Sequence, residues 1–205
     1  MEDKKKHWET IYTTKKLEEV SWYQRKPQPS LKYIAMFDLP KSARIIDVGG
    51  GDSFLVDILL ALGYTNITVL DISEKAIDRA KTRLGRKADE VTWIISDITS
   101  FEPDAQYDLW HDRAVLHFLT SEVEIEKYKQ ILENSIALGG KVIIGTFSKD
   151  GPTKCSGIEI KQYSKADLSQ FLSANFKTLD CENIDHSTPS NTSQNFTFCQ
   201  FQKIK

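Results

Sequence analysis

Long apolar runs are missing from this chain of 205 residues. No segment reaches the roughly 18 consecutive apolar residues that a membrane-spanning helix needs. The charged residues 2–6 are not followed by the apolar stretch of a signal peptide, so neither a membrane partner nor export is expected and a cytoplasmic location is. Clustered charge of one sign is also scarce. Lys4, Lys5 and Lys6 form the one basic run, they stand beside Glu2 and Asp3, and the net charge is −2, so no nucleic-acid partner is expected. The three cysteines, Cys155, Cys181 and Cys199, are odd in number, widely spaced and without a CxxC pair; neither a disulfide scaffold nor a zinc site is expected of them.

What is present reads as one soluble domain spanning residues 1–205. Hydrophobic residues make up 40% and charged residues 27%, close to the balance of an average globular protein. From residue 41 onward, strand-like and helix-like segments alternate. "RIIDV" is a short β-branched strand, and Ser53 to Leu62 is an apolar helix closed by Gly63. "NITVLDIS" is a second strand, after which Ser73 caps a helix that buries Ile77, Ala80 and Leu84 and stops at Gly85. "VTWIISDI" and "YDLWHD" supply a third and fourth strand. A long helix then opens with Ser121 and Glu124 in capping-box spacing and runs to Gly139-Gly140. "KVIIGTF" is the fifth strand, apolar throughout as a strand covered on both faces should be.

Such repeats require an α/β fold, with a parallel sheet, right-handed crossovers and helices on both faces. The end of the chain breaks the pattern. After a helix from Ser164 to Asn175, "FKTLDCENID" and "NFTFCQFQKI" are separated by a linker too short for a crossover helix and read as an antiparallel hairpin. Five parallel strands and this hairpin make a Rossmann-like seven-stranded sheet.

Ligands of such sheets bind at the carboxyl ends of the strands, and there the sequence places a notable set of groups. Gly49, Gly50 and Gly51 follow the first strand, between Asp47 and Asp52. The third glycine of a dinucleotide fingerprint is missing, since Phe54 stands in its place, and so is the lysine and hydroxyl pair of a phosphate loop. Asp71 ends the second strand, where a carboxylate reaches the two hydroxyls of a ribose, with Ile72 beside it. Asp97 and Ile98 end the third, where a carboxylate can accept from an adenine amino group while the apolar neighbour packs on the ring. Each aspartate is also a plausible helix or turn cap when taken alone. Together they point to a nucleoside-bearing cofactor, and the acids around the turn disfavour a pyrophosphate.

On these residues the sequence resembles the class I S-adenosylmethionine-dependent methyltransferases, with "DVGGG", "VLDIS", "SDI" and "YDLWHDRAVLHFL" as the first to fourth motifs, in order on successive strands. The N-terminal "HWETIYTTKKLEEVSWYQ" looks like the opening of the subgroup that includes eukaryotic protein-lysine methyltransferases acting on an elongation factor or citrate synthase, and many uncharacterised bacterial enzymes. The fourth motif reads differently from that of the lysine-methylating relatives.

The resemblance implies S-adenosyl-L-methionine as cofactor and a small-molecule or protein side chain as methyl acceptor. It implies residues 1–40 as a helical lid on a core of residues 41–205, and cofactor contacts from Trp8, Tyr12, Trp22, Gly49, Gly51, Asp71, Ile72, Asp97, Ile98 and Arg113. A sulfonium against the aromatic faces of Trp8, Tyr12 and Trp22 gains about 0.5–2 kcal/mol. Transfer of a methyl group from a sulfonium is an in-line displacement that depends on alignment, with a base needed only for a protonated acceptor. His111 and Asp112, at the fourth strand end, are the candidates for that positioning or deprotonation. Arg113 can meet the cofactor or an acidic substrate, or pair with Asp112, and His117 can pack beneath the next helix. The segment after the fifth strand is expected to line the acceptor pocket with Cys155 and Tyr163. Two other functions share this fold: a nicotinamide-dependent oxidoreductase and a non-catalytic binding module.

Overall fold

The computed structural model describes residues 2–205. The chain opens with helices α1 (Glu2–Thr14) and α2 (Gln28–Met36). There follow β1 (Arg44–Val48), α3 (Leu55–Ala61), β2 (Asn66–Asp71), α4 (Glu74–Leu84), β3 (Val91–Ile95) and β4 (Tyr107–Arg113). Next come α5 (Glu122–Ser135), β5 (Ile136–Phe147), the two-residue strands β6 (Lys154–Cys155) and β7 (Ile158–Glu159), α6 (Lys165–Leu172), β8 (Phe176–Ser187) and β9 (Ser193–Lys203).

Seven of these strands form one sheet in the order β3-β2-β1-β4-β5-β9-β8, while β6 and β7 make a separate small hairpin. β1 to β5 are parallel, and β9 runs antiparallel to both β5 and β8. The expected α/β sheet with a terminal antiparallel hairpin is the observed one.

The apolar residues divide between the two faces because side chains alternate along a strand. On one face, Tyr128, Leu132 and Leu168 of α5 and α6 pack on Trp110, Val142, Ile144 and Phe201. On the other, Tyr33, Leu55, Leu59 and Ile77 of α2, α3 and α4 pack on Ile45, Ile67, Val69, Leu109 and Ile143. Each large side chain buried in this way contributes about 1.5–3 kcal/mol. The same alternation along β4 turns Leu109 and His111 to one face and Trp110 and Asp112 to the other, which decides the roles of His111 and Asp112.

Local signals set the helix starts. The Ser73 side chain accepts from the Ala76 amide at 3.2 Å to open α4, and Ser164 and Asp167 form a reciprocal capping box for α6. At Ser121 the hydroxyl accepts from the Glu124 amide, and the Glu124 carboxylate returns to that hydroxyl, not to the cap backbone.

Three expectations are corrected. α5 ends at Ser135, not at Gly139-Gly140, because Ile136 already has extended backbone and pairs with Tyr107 on β4. The ladder resumes only at Leu109 with Lys141, so residues 137–140 bulge out of it, and Lys203 Nζ donates to the carbonyls of Glu133 and Ile136 at 2.6 and 2.7 Å. α3 and α6 are each shorter than expected, at Leu55–Ala61 and Lys165–Leu172.

Finally, Cys181 and Cys199 form a disulfide. They are 18 residues apart in sequence but directly opposite in the β8–β9 register, with Cα atoms 4.2 Å apart. Spacing rules for loops do not detect a cross-strand pair. Cys155 is a free, buried thiol. No described helix is long and apolar enough to cross a membrane.

Candidate active site

The carboxyl ends of β1 to β5 share one edge of the sheet, and above it lies a cavity lined by those ends, by α2 and by the N-terminal segment that includes α1. Of the residues singled out in the sequence, Trp8, Tyr12, Trp22, Gly49, Asp71, Ile72, Asp97, Ile98, His111, Arg113 and Cys155 all line it. Gly51, Asp112, His117 and Tyr163 are not among the lining residues.

The glycine turn is packed from within. Gly49 has φ +67°, and a Cβ there would come within 2.1 Å of Val115 Cγ2. Gly51 has φ +45°, and its Cβ would meet Asp71 Oδ2 at 2.9 Å and Tyr12 Oη at 3.0 Å. Both need the left-handed conformation that glycine adopts at little cost. The absent side chains thus make room for Val115, for the Asp71 carboxylate and for Tyr12. Phe54, where a third glycine was missing, packs edge-on to Tyr23 and under the Arg83 guanidinium.

Asp71 is held by its own turn: its Oδ1 accepts from the Ser73 amide at 2.8 Å. Burial, with Asp52, Asp47 and Glu9 adding like charge, pushes its pKa up to about 7 despite that hydrogen bond. Asp97 is held likewise, its Oδ1 accepting from the backbone and hydroxyl of Thr99 at 2.8 Å each. Both therefore cap a turn while also lining the cavity. The two acids flanking the glycines are each partnered, Asp52 with Arg79 at 2.9 Å and Asp47 with His111 at 2.7 Å. The case against a pyrophosphate therefore rests on the missing glycine more than on like charge.

The N-terminal segment carries an aromatic cluster and is tied to α4. Trp8, Tyr12 and Trp22 meet at ring separations of 5.8 to 6.2 Å, and Trp8 also meets Phe118 at 5.0 Å. The Glu9 carboxylate accepts from the Glu74 and Lys75 amides at the start of α4, at 2.7 and 3.2 Å, where the helix dipole favours an anion. Arg79 donates to the carbonyls of Tyr12 and Lys15 at the other end of α1, and Lys4 pairs with Glu124.

On the β4 side of the cavity, His111 is buried between two partners. Its Nδ1 lies 2.7 Å from Asp47 Oδ1 and its Nε2 2.8 Å from Ser30 Oγ. A carboxylate only accepts, so Nδ1 carries the proton and Nε2 accepts from the Ser30 hydroxyl. Asp112 is turned to the opposite face. Its carboxylate accepts from the Val115 and Leu116 amides and from the Tyr128 hydroxyl at 2.6 Å, and burial pushes its pKa up to about 6. The structure assigns Asp112 to the turn that follows β4, against the expectation that it handles the acceptor, and it does not pair with Arg113.

His117 is wholly buried and stacked on Phe147, at a ring separation of 4.7 Å. Its Nδ1 accepts from the Phe147 amide, and burial drives its pKa down to about 3. Tyr163 is buried behind β5, its amide on the Phe147 carbonyl.

Among the lining residues that escaped the sequence are Ser30, Gln24, Gln194 and Phe196. None carries a motif. The nearest available signal was the Pro27-Gln28-Pro29 start of α2, which sets where Ser30 falls.

Known methyltransferases resemble this chain over part of its sequence and in its fold. Residues 46–140 match the family model described as a methyltransferase domain. Nodulation protein S of Rhizobium tropici is 30% identical over 87 residues, which are 42% of this chain and 36% of that protein. The eEF1A lysine and N-terminal methyltransferase of Mus musculus is 25% identical over 138 residues, 67% of this chain and 19% of its own length. The chain thus spans well under half the length of these curated relatives.

Among solved structures, 1,6-didemethyltoxoflavin-N1-methyltransferase of Burkholderia thailandensis, with S-adenosylhomocysteine bound, superposes with a TM-score of 0.72 at 15% identity, covering 100% of this chain and 85% of that one. The N-methyltransferase NodS of Bradyrhizobium japonicum, also with S-adenosylhomocysteine, gives 0.67 at 16%, covering 91% and 93%. At such identities the likeness is one of fold.

Proposed function

We propose, from a chain with the class I methyltransferase fold whose residues 46–140 match a methyltransferase domain, that this protein is an S-adenosyl-L-methionine-dependent methyltransferase acting on a small molecule or a protein side chain. The observation that carries the reading is the order of groups along the cavity. Asp97 and Ile98 lie at β3, Asp71 and Ile72 at β2, Gly49 at β1 and His111 at β4, which is the order of base, ribose, amino acid and reacting atom.

The residues present fit such a cofactor. Asp71 lines the cavity while its own turn holds Oδ1, so its carboxylate can accept from ribose hydroxyls. Asp97 and Ile98 would hold the adenine, and Trp8, Tyr12 and Trp22 would cover the sulfonium with aromatic faces. When bound, S-adenosylmethionine supplies an activated methyl group.

The remaining work belongs to this chain. α1 and its aromatic cluster exclude water, and the rigid strand ends hold the partners in line, which is where most of the rate enhancement of a displacement comes from. An acceptor that arrives protonated gives its proton to the Ser30 oxygen as the Ser30 proton passes to His111 Nε2. The Asp47 carboxylate then faces the imidazolium.

The test is ligand-dependent stability. S-adenosylhomocysteine at about 100 times its Kd stabilises a one-site protein by about 2.7 kcal/mol, so it should raise the Tm while NAD leaves it unchanged. Stabilisation by NAD instead would overturn the reading in favour of an oxidoreductase. Transfer of a tritiated methyl group to an acceptor in cell extract excludes a binding module.

A further inference from the structure

The cavity holds a cation with no contacting counter-ion among the described residues, its neighbouring acid Asp47 being hydrogen-bonded to His111. Arg113 donates from Nη1 to the Trp22 carbonyl at 3.1 Å and lies over the Phe196 ring at 5.1 Å. Its Nη2 is shielded from solvent and donates to nothing among the described residues, and no described carboxylate forms an ion pair with it. Burial lowers its pKa to about 10, which leaves it charged at neutral pH. A desolvated guanidinium with an idle donor is costly unless something fills it.

Its place in the sheet separates it from the ribose carboxylate, while its Nη1 partner Trp22 belongs to the aromatic cluster over the sulfonium. The guanidinium packs on Phe196 of β9, two strands beyond β4 and four beyond β2, where Asp71 stands. At about 4.8 Å per strand, the distance from the ribose carboxylate is roughly 10–19 Å. The neighbouring polar atoms are of the opposite kind. His186 Nε2 lies 2.7 Å from the Ser21 carbonyl and so carries the ring proton; its Nδ1 therefore accepts from Gln24 Nε2 at 3.0 Å. That leaves Gln24 Oε1 as an unpartnered acceptor, and Gln194 Oε1 is another. The face beside them is apolar, from Phe147, Phe196 and Cys155.

Resting on the methyltransferase reading, we infer that the methyl acceptor is a small organic acid: its carboxylate is received by Arg113 Nη2, and an N–H or O–H on the same molecule donates to Gln24 or Gln194. Arg113 is thereby a specificity-determining residue of the acceptor end. The alternative source of the anion is the amino-acid carboxylate of the cofactor itself.

The experiment uses anthranilate and its neutral isostere anthranilamide as probes, titrated into the full-length protein with and without S-adenosylhomocysteine. A charge-assisted hydrogen bond is about twice as strong as a neutral one, so anthranilate should bind about tenfold or more tightly than anthranilamide. Arg113→Met should abolish that preference and leave S-adenosylhomocysteine affinity within about threefold, while Arg113→Lys retains part of the preference.

Equal binding of the two probes, or no binding of anthranilate, overturns the inference. So does a loss of about tenfold or more in S-adenosylhomocysteine affinity in Arg113→Met with methylthioadenosine binding unchanged, because the cation would then belong to the cofactor carboxylate. The wild-type ratio needs no variant, so the inference stays refutable should Arg113→Met fail to fold. Failure of the wild-type protein to bind S-adenosylhomocysteine counts against the methyltransferase reading, whereas binding without anthranilate preference counts only against the organic acid.

Discussion

The two ends of the cavity are built on different principles. At the end formed by β2 and β3, Asp71 and Asp97 are each fixed by an amide two residues further along the chain. At the end formed by β4 and β9, every fixing partner is remote: Asp47 is 64 residues from His111, Ser30 is 81, Trp22 is 91 from Arg113, and Gln24 is 162 from His186. A local turn places a side chain whether or not the rest of the fold is perfect, so it suits a ligand shared by many proteins. A long-range network exists only in the folded state and can be rebuilt without touching the turn motifs, which suits a group that varies between substrates.

The largest expected effect comes from the remote end. His111→Ala leaves the buried Asp47 carboxylate without its hydrogen-bond donor, and an unsatisfied buried charged acceptor costs about 3 kcal/mol or more. Chemical denaturation should show that loss, with S-adenosylhomocysteine binding persisting in whatever fraction stays folded. A His111→Ala protein as stable as the wild type would remove the distinction between the two ends.

Asp71→Ala should do the converse. Two hydrogen bonds to a charged acceptor are worth about 1.5–3 kcal/mol each, so calorimetry should show S-adenosylhomocysteine affinity reduced by more than about a hundredfold. Undiminished affinity would dispose of the ribose assignment.

A pH series sharpens the same point. The pKa of Asp71 is raised from an ordinary 3.8 to about 7, so the native state favours the protonated form. Its contribution to stability is present below about pH 4 and is lost as pH rises towards 7. The carboxylate is the form that accepts from the ribose hydroxyls. S-adenosylhomocysteine should therefore bind more tightly from pH 5 to 8 in the wild type, and with a flat profile in Asp71→Asn. A flat wild-type profile would contradict the titration.

Asp112 tests whether neighbours in sequence share a role. Asp112→Asn disturbs a carboxylate that accepts three hydrogen bonds, for a loss of about 1–3 kcal/mol in stability, and should leave S-adenosylhomocysteine affinity within about threefold. A selective loss of methyl transfer with stability intact would return Asp112 to the acceptor. The smallest effect is expected at α1, where Glu9→Gln removes an anion from the start of α4 at a cost of about 0.3–1 kcal/mol; faster hydrogen exchange confined to α1 is its signature.

Much of the fold, and the placement of Asp71 and Asp97 on the cavity, was legible in the sequence because both rest on short-range rules. Apolar runs separated by capping residues specify β1 to β5 and their helices, and a carboxylate at the end of a parallel strand has one edge to occupy. Boundaries were less legible where tertiary pairing competes with local signals. Ile136 joins β5 because Tyr107 pairs with it, although the glycines after it looked like a helix stop.

By itself, then, the sequence determined the order of elements, the glycine turn and the carboxylates of Asp71 and Asp97 at strand ends, since each depends on residues a few positions apart. Only the tertiary structure decided that His111 faces the cavity while Asp112 faces away, because strand alternation acquires a direction once the two faces of the sheet are covered. It alone brought Cys181 against Cys199, through the register of β8 and β9. It alone left Arg113 buried without a contacting anion, because Trp22 and Phe196 meet that side chain from segments that no local rule connects.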